Sequence, residues 1–205
     1  MKQHLFKLAV ALLLQTSTVN LDAAFCALRD PTASLNSLFP EADAHHSIVK
    51  KVDEATKRHL SSELPFTIHK RELGSHTVYL ALKDKKALGL VHVRSEQSPW
   101  GIVEIAWAID SSMKKTLSFE FQRCRDPAAS DLRTETFHQL ILDKDISELQ
   151  SLLNEDGTSL KENYGLPNSS LQLASVVIRS AIKTLAVTQY VYLEEVKKAS
   201  EMSSI

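Results

Sequence analysis

The residues best suited to chemistry lie late in the chain. Asn168, Ser169 and Ser170 precede an apolar stretch that begins at Leu171. Short side-chain oxygens in that position cap a helix, and the free N–H groups of a first turn, together with the helix dipole, favour a phosphate. Ordinary capping uses the same residue types. The histidines offer less. His45 and His46 are adjacent and would point about 100° apart on a helix, with no cysteine or carboxylate cluster to complete a metal site. His69, His76 and His92 fall in or near strands, where a single histidine reads as packed or exposed rather than as a ligand. No nucleophile, base and orienting acid stand at a recognisable spacing, which argues against a hydrolase triad. The five glycines, Gly74, Gly89, Gly101, Gly157 and Gly165, are too scattered to form a phosphate-cradling loop. That argues against nucleotide-dependent kinases and dehydrogenases with a glycine-rich fingerprint.

The elements that must position these residues centre on residues 76–123. Four strands are expected: 77–82, 88–94, 102–110 and 116–123. The third alternates most clearly, with Val103, Ile105, Trp107 and Ile109 on one face and Glu104, Ala106 and Ala108 on the other. Period two over that length marks a strand. The intervening turns at 83–86, 95–99 and 111–115 are short, which favours antiparallel neighbours. The expected fold class is α+β, a small antiparallel sheet flanked by helices. Helices are expected at 35–39, ended by Pro40; at 45–64, with Ser47 as its cap and Pro65 as its stop; at 132–142; at 145–153, with Asp145 as a cap; and from 170 to about 186. Residues 66–73 read as an edge strand or a linker, and 188–205 as a polar, frayed tail.

The totals are those of one ordinary globular domain with additions. The chain has 205 residues, 43% of them hydrophobic and 24% charged, and a net charge of −1. That balance implies no general attraction to nucleic acid or to anionic lipid. Residues 1–24 read as a secretory signal. Lys2 and Lys7 open it, a short apolar run follows at 8–14, and Leu21-Asp22-Ala23-Ala24 ends in small residues. A buried N-terminal helix is the competing account. Cys26 follows at once and raises lipid anchoring, but Phe25 stands where a small residue is expected, so soluble export to the periplasm is preferred. No later stretch reads as long enough to span a membrane. In an oxidising compartment, Cys26 and Cys124 read as a disulfide that clips the mature N-terminus to the end of the fourth strand. It would close a loop of about 100 residues, worth on the order of 3–5 kcal/mol. Two independent buried thiols are the alternative.

Two segments carry a resemblance to a known family. One is Leu88-Gly89-Leu90-Val91 followed by the run from Trp100-Gly101 to Asp110. The other is Ser169-Ser170-Leu171-Gln172-Leu173-Ala174-Ser175 and the apolar stretch after it. Together they resemble the periplasmic FMN-binding domain family, which includes a subunit of membrane-bound electron-transport complexes. The likeness spans residues 25–185. It implies an FMN-binding-domain-like fold over 25–187 and a part in envelope electron transfer. It also implies a flavin held at Asn168, Ser169, Ser170, Gln172 and Ser175, with its ring near Trp100-Gly101 or Trp107. The family attaches FMN to a motif threonine. Gln172 occupies that position here and has no hydroxyl to esterify, so the flavin would be non-covalent. The family's T-P-G segment is also missing, with residues 122–127 in its place. The alternative is a flavin-free accessory module docking on an envelope electron-transfer or transport complex. The small residues Ala106 and Ala108 leave room for a flat ligand, and close helix packing explains them equally well.

Overall fold

The computed structural model describes the backbone of residues 29–203 and the side chains of residues 29–200. The leader and Cys26 lie outside the described residues. Within them stands one five-stranded antiparallel sheet in the order β1-β2-β3-β4-β5: β1 Ala44–Val52, β2 Gly74–Lys83, β3 Lys86–Ser98, β4 Gly101–Asp110 and β5 Thr116–Arg123. The α+β class and the four alternating strands match expectation. The helices are α1 Thr32–Leu38, α2 Glu54–Glu63, α3 Glu135–Ile141, α4 Ile146–Ser151 and α5 Leu171–Ser203.

Three elements differ from the sequence reading. The helix expected over 45–64 is two elements. Ala44–Val52 is a strand that pairs with β2 along its whole length, from Ala44 opposite Leu82 to Val52 opposite Gly74. Ile48 and Val52 are buried on a shared face, which fits period two as well as it fits a helix. The β-branched Ile48, Val49 and Val52 tip the choice once a partner strand is present. The helix proper starts at Asp53, whose carboxylate accepts from the Thr56 N–H at 2.8 Å, so Asp53 and not Ser47 is its cap. Residues 66–73 add no strand; they hold a 3₁₀ turn at Lys70–Glu72. The tail is not frayed, since α5 continues as one 33-residue helix to Ser203. Val187, Tyr192 and Val196 bury its inner stripe, while Glu194, Lys197 and their neighbours keep its outer face polar. By length and composition α5 could cross a membrane, contrary to expectation, but 83% of its apolar window is buried inside the protein. The helix expected at 132–142 is present as α3, which starts three residues later, at Glu135, after a 3₁₀ turn at Pro127–Arg133.

α5 lies against one face of the sheet. There β2 to β5 bring Val78, Leu80, Leu90, Ile105, Trp107 and Phe119 into a common core with Leu173, Val177, Ala181 and Leu185 of the helix. The Trp107 Nε1–H donates to Ser180 Oγ at 3.1 Å and fixes the helix over the centre of β4. The opposite face is covered by α1. Leu35 and Phe39 pack on Ala81, Val91, Val93, Ala106 and Ala108. The alanine side of β4 is therefore filled by a helix, the second of the two accounts of it. Gly89 belongs to the same contact: a Cβ there would stand 2.6 Å from Phe39 Cζ and 2.4 Å from the Ile109 carbonyl oxygen.

Candidate functional site

The expected flavin residues fall in three places. Asn168, Gln172 and Ser175 border one open cleft of about 560 Å³ together with Lys161 and the loop around Ser159. Ser175 Oγ donates to the carbonyl of Gln172 one turn back, at 2.8 Å. Ser170 is fully buried and turns the other way, with its hydroxyl donating to Asp131 Oδ2 at 2.5 Å. Ser169 is exposed and does not border that cleft. Trp100 and Gly101 do not border it either. They form the tip of the β3–β4 hairpin, where Ser98 faces Gly101 in the ladder. Gly101 has φ +98°, a conformation that favours glycine. A Cβ on it would meet nothing within 4 Å, so the turn explains the residue without a ligand. Trp100 is 58% exposed and Trp107 is wholly enclosed. Cys124 is half-buried, and burial pushes its thiol up; its expected partner Cys26 lies outside the described residues.

A different group of residues forms the most concentrated polar constellation. β3 presents Leu90, His92, Arg94 and Glu96 toward α5, one residue in two, passing from apolar to charged along the strand. All four are buried. Opposite them α5 carries Lys183 and Thr188, and the 3₁₀ turn supplies Glu72. Arg94 Nη2 donates to Glu72 Oε2 at 2.5 Å. Lys183 Nζ reaches both Glu72 oxygens at 3.1 Å and Glu96 Oε2 at 2.6 Å. Glu72 also closes its own turn, accepting from the His69 N–H at 2.9 Å. Two carboxylates and two cations thus balance one another inside the protein. Such a group is stable only while each member keeps its partners.

Electrostatics follow from this packing. Burial alone would raise the Glu72 carboxyl. The charges of Arg94 and Lys183, with the hydrogen bonds from His69 and Lys183, outweigh that and hold it below its usual value. His76 sits beneath the turn with its Nε2 2.7 Å from the Glu72 carbonyl, which can only accept, so Nε2 carries the proton. Burial, and then the nearby Arg94 charge, lower the His76 pKa to about 4. His92, with Nδ1 3.0 Å from Thr188 Oγ1, is held well below its usual value by burial, then by the Arg94 charge and His76. Both rings are neutral at pH 7, and the Tyr192 hydroxyl donates to the His76 carbonyl behind them.

This network floors an open cleft of about 320 Å³ between the 3₁₀ turn, the end of β3 and α5. Glu72, Glu96 and Lys183 form its base, with Ser95 beside them. Thr67, His69 and Gln97 are exposed at its rim. Arg71 from the turn and Arg179 from α5, one helical turn before Lys183, complete the lining. Neither arginine enters an ion pair among the described residues. Glu96 Oε1 is buried and accepts no hydrogen bond, its nearest cation being Arg94 Nε at 3.9 Å. No group of three metal-ligating side chains occurs among the described residues.

Sequence reasoning singled out neither Glu72, Arg94, Glu96 nor Lys183. A signal was present. Apart from Glu104, β4 is apolar on both faces between Ile102 and Ile109, which marks a central strand, so the charged residues at the end of its neighbour β3 are candidates for burial in pairs. Comparison of the chain with protein-family models, curated proteins and solved structures finds no match. The flavin-domain likeness therefore rests on the residues that suggested it.

Proposed function

We propose that the protein is a binding module for a small polar ligand, which it takes in the cleft between the Lys70–Glu72 turn, β3 and α5. The observation that carries this reading is the pair Arg71 and Arg179, two guanidinium groups free of ion pairs among the described residues, in the lining of a cleft whose floor of Glu72, Glu96 and Lys183 is charge-balanced. Uncompensated guanidinium groups in a concave polar site mark a place where a ligand can supply the partner. The cleft volume suits a metabolite-sized molecule. The surrounding acids and bases neutralise one another, which suits a rigid, prearranged floor better than proton transfer. The test is a thermal-shift and NMR titration against carboxylates, phosphates, amines, amino acids and polyols. At least one class is expected to raise the melting temperature and to shift resonances of Arg179 and Gln97. If no class does so, the cleft is not the functional site.

A second reading keeps the flavin. Asn168, Gln172 and Ser175 share one cleft with Lys161, and an amide and a lysine at a helix start can hold a phosphate by hydrogen bonds. Non-covalent FMN there would make the protein an exported carrier in envelope electron transfer, with the isoalloxazine supplying the redox chemistry. An absorbance spectrum of the purified protein, followed by titration with FMN, tests it. Flavin bands, or saturable binding weakened by Asn168→Ala with Gln172→Ala, support this reading. A colourless protein whose melting is unmoved by FMN sinks it.

A further inference from the structure

We infer that the ligand of the cleft is a small anion, its carboxylate or phosphate group clamped between Arg71 and Arg179. The inference rests on the binding-cleft reading above and specifies the ligand class.

Charge accounting comes first. Four cations, Arg71, Arg94, Arg179 and Lys183, stand against two carboxylates, Glu72 and Glu96, which leaves two positive charges in excess. The whole chain carries −1, so the excess is local. Arg94 and Lys183 answer the two carboxylates inside the protein. The excess therefore sits on Arg71 and Arg179, whose guanidinium groups make no hydrogen bond among the described residues. A cleft lined by one sign of charge concentrates the opposite ion. The planar fork of arginine fits a carboxylate or phosphate.

The hydrogen-bonding groups agree with the charge. His69 Nδ1 accepts the Arg71 backbone N–H at 3.1 Å, so the proton of the neutral ring lies on Nε2, a donor at the exposed rim. The Thr67 hydroxyl adds another. Apart from the Gln97 amide oxygen, the side-chain groups left open at the rim can all donate, which suits a ligand rich in acceptor oxygens. A cationic ligand would be repelled by both guanidinium groups and would find no free carboxylate, since Glu72 and Glu96 are already paired. The two arginines are also held in place. Arg71 precedes Glu72 in a turn closed by the His69–Glu72 capping pair, and Lys183 pins Glu72. Arg179 stands one helical turn before Lys183 on α5. The buried network thus fixes the backbone under both, and a preorganised clamp loses less entropy on binding than a loose one.

The experiment is isothermal titration of the full chain with inorganic phosphate, succinate, glycerol and ethylamine. Phosphate or succinate is expected to bind saturably, at least about tenfold more tightly than glycerol or ethylamine. Whichever anion binds more tightly tells phosphate from carboxylate. Arg71→Gln and Arg179→Gln, one exposed and one half-buried, are each expected to weaken anion binding about tenfold, their folding being checked by circular dichroism. Arg58→Gln removes an exposed arginine of α2 outside the cleft and is expected to leave anion binding unchanged. Wild-type anion affinity in both cleft variants overturns the site. An equal loss in Arg58→Gln also overturns it, since net charge alone would then explain the attraction. Equal binding of glycerol or ethylamine overturns the role of the charge. If amines or polyols from the wider panel bind in the cleft and no anion does, this inference fails and the binding-cleft reading stands. If nothing in that panel binds, both fail.

Discussion

Lys183 Nζ donates to Glu96 Oε2 across 2.6 Å, joining α5 to β3 between residues 87 apart in the chain. The same ammonium reaches both oxygens of Glu72. One cation therefore ties the 3₁₀ turn, the sheet and the final helix together under the cleft. All three side chains are buried, so the bond is screened by salt much less than a surface pair would be.

Lys183→Met removes that cation and leaves two carboxylates with only Arg94 to answer them. The expected loss is about 3–5 kcal/mol, because an uncompensated buried charge costs more than the pair contributes. Adding Glu96→Gln should recover part of it. Urea unfolding of the wild type, the single variants and the double variant measures the coupling. Strict additivity would contradict the network.

Stability should fall as the solution is acidified. His76 has a folded pKa of about 4 against an ordinary 6.5, and His92 is lowered well below 6.5. Arg94 from β3, Glu72 from the turn, and Thr188 and Tyr192 from α5 surround the two rings. The unfolded chain takes up protons below pH 6.5 while the folded chain does not. The stabilisation is thus complete above pH 6.5 and is lost as the pH falls toward 4, by about 3 kcal/mol for His76 alone. Glu72, whose folded pKa is lowered below 4.5, contributes above that pH and loses its share as the pH drops further. Unfolding midpoints at pH of about 7.5, 5.5 and 4.5 check the slope; a flat profile above pH 5 would show that the rings are charged or exposed.

Gly89→Ala should destabilise by about 2–3 kcal/mol, at the upper end of overpacking costs. The added methyl meets a backbone carbonyl of β4, which cannot yield, as well as the Phe39 ring. Pairing it with Phe39→Leu should relieve only the ring contact. Full rescue by that pair would mean that the sheet, and not the helix, gives way.

Tyr192→Ala tests the last third of α5. The residue is fully buried and its hydroxyl donates to the His76 carbonyl. A loss of about 3–5 kcal/mol is expected from the cavity and the stranded carbonyl. A near-neutral effect in thermal unfolding would return the segment after residue 187 to the status of a tail.

Much of the architecture could be read directly from residue order. β2 to β5, the turns after β2 and β4 and the start of α4 at Asp145 follow from period-two alternation and capping chemistry, which act between near neighbours. The loop expected over 95–99 is instead the end of β3, which pairs with β4 as far as Ser98. Residues 44–52 could not be assigned that way, because their apolar spacing suits a helix or a strand and only the free edge of β2 decides between them. The end of α5 was hidden for a related reason. Its exposed half is rich in Glu and Lys, and only the burial of Tyr192 and Val196 under the sheet shows that the apolar stripe continues.

The sequence by itself determined an antiparallel sheet with helices around it and a hydroxyl-rich helix start. Tertiary structure alone decided where the charges meet. Glu72, Arg94, Glu96 and Lys183 come from three elements, with Glu72 and Lys183 separated by 111 positions, and no local spacing links them. They are drawn together because buried charges must find opposite charges, and folding gives them only one another.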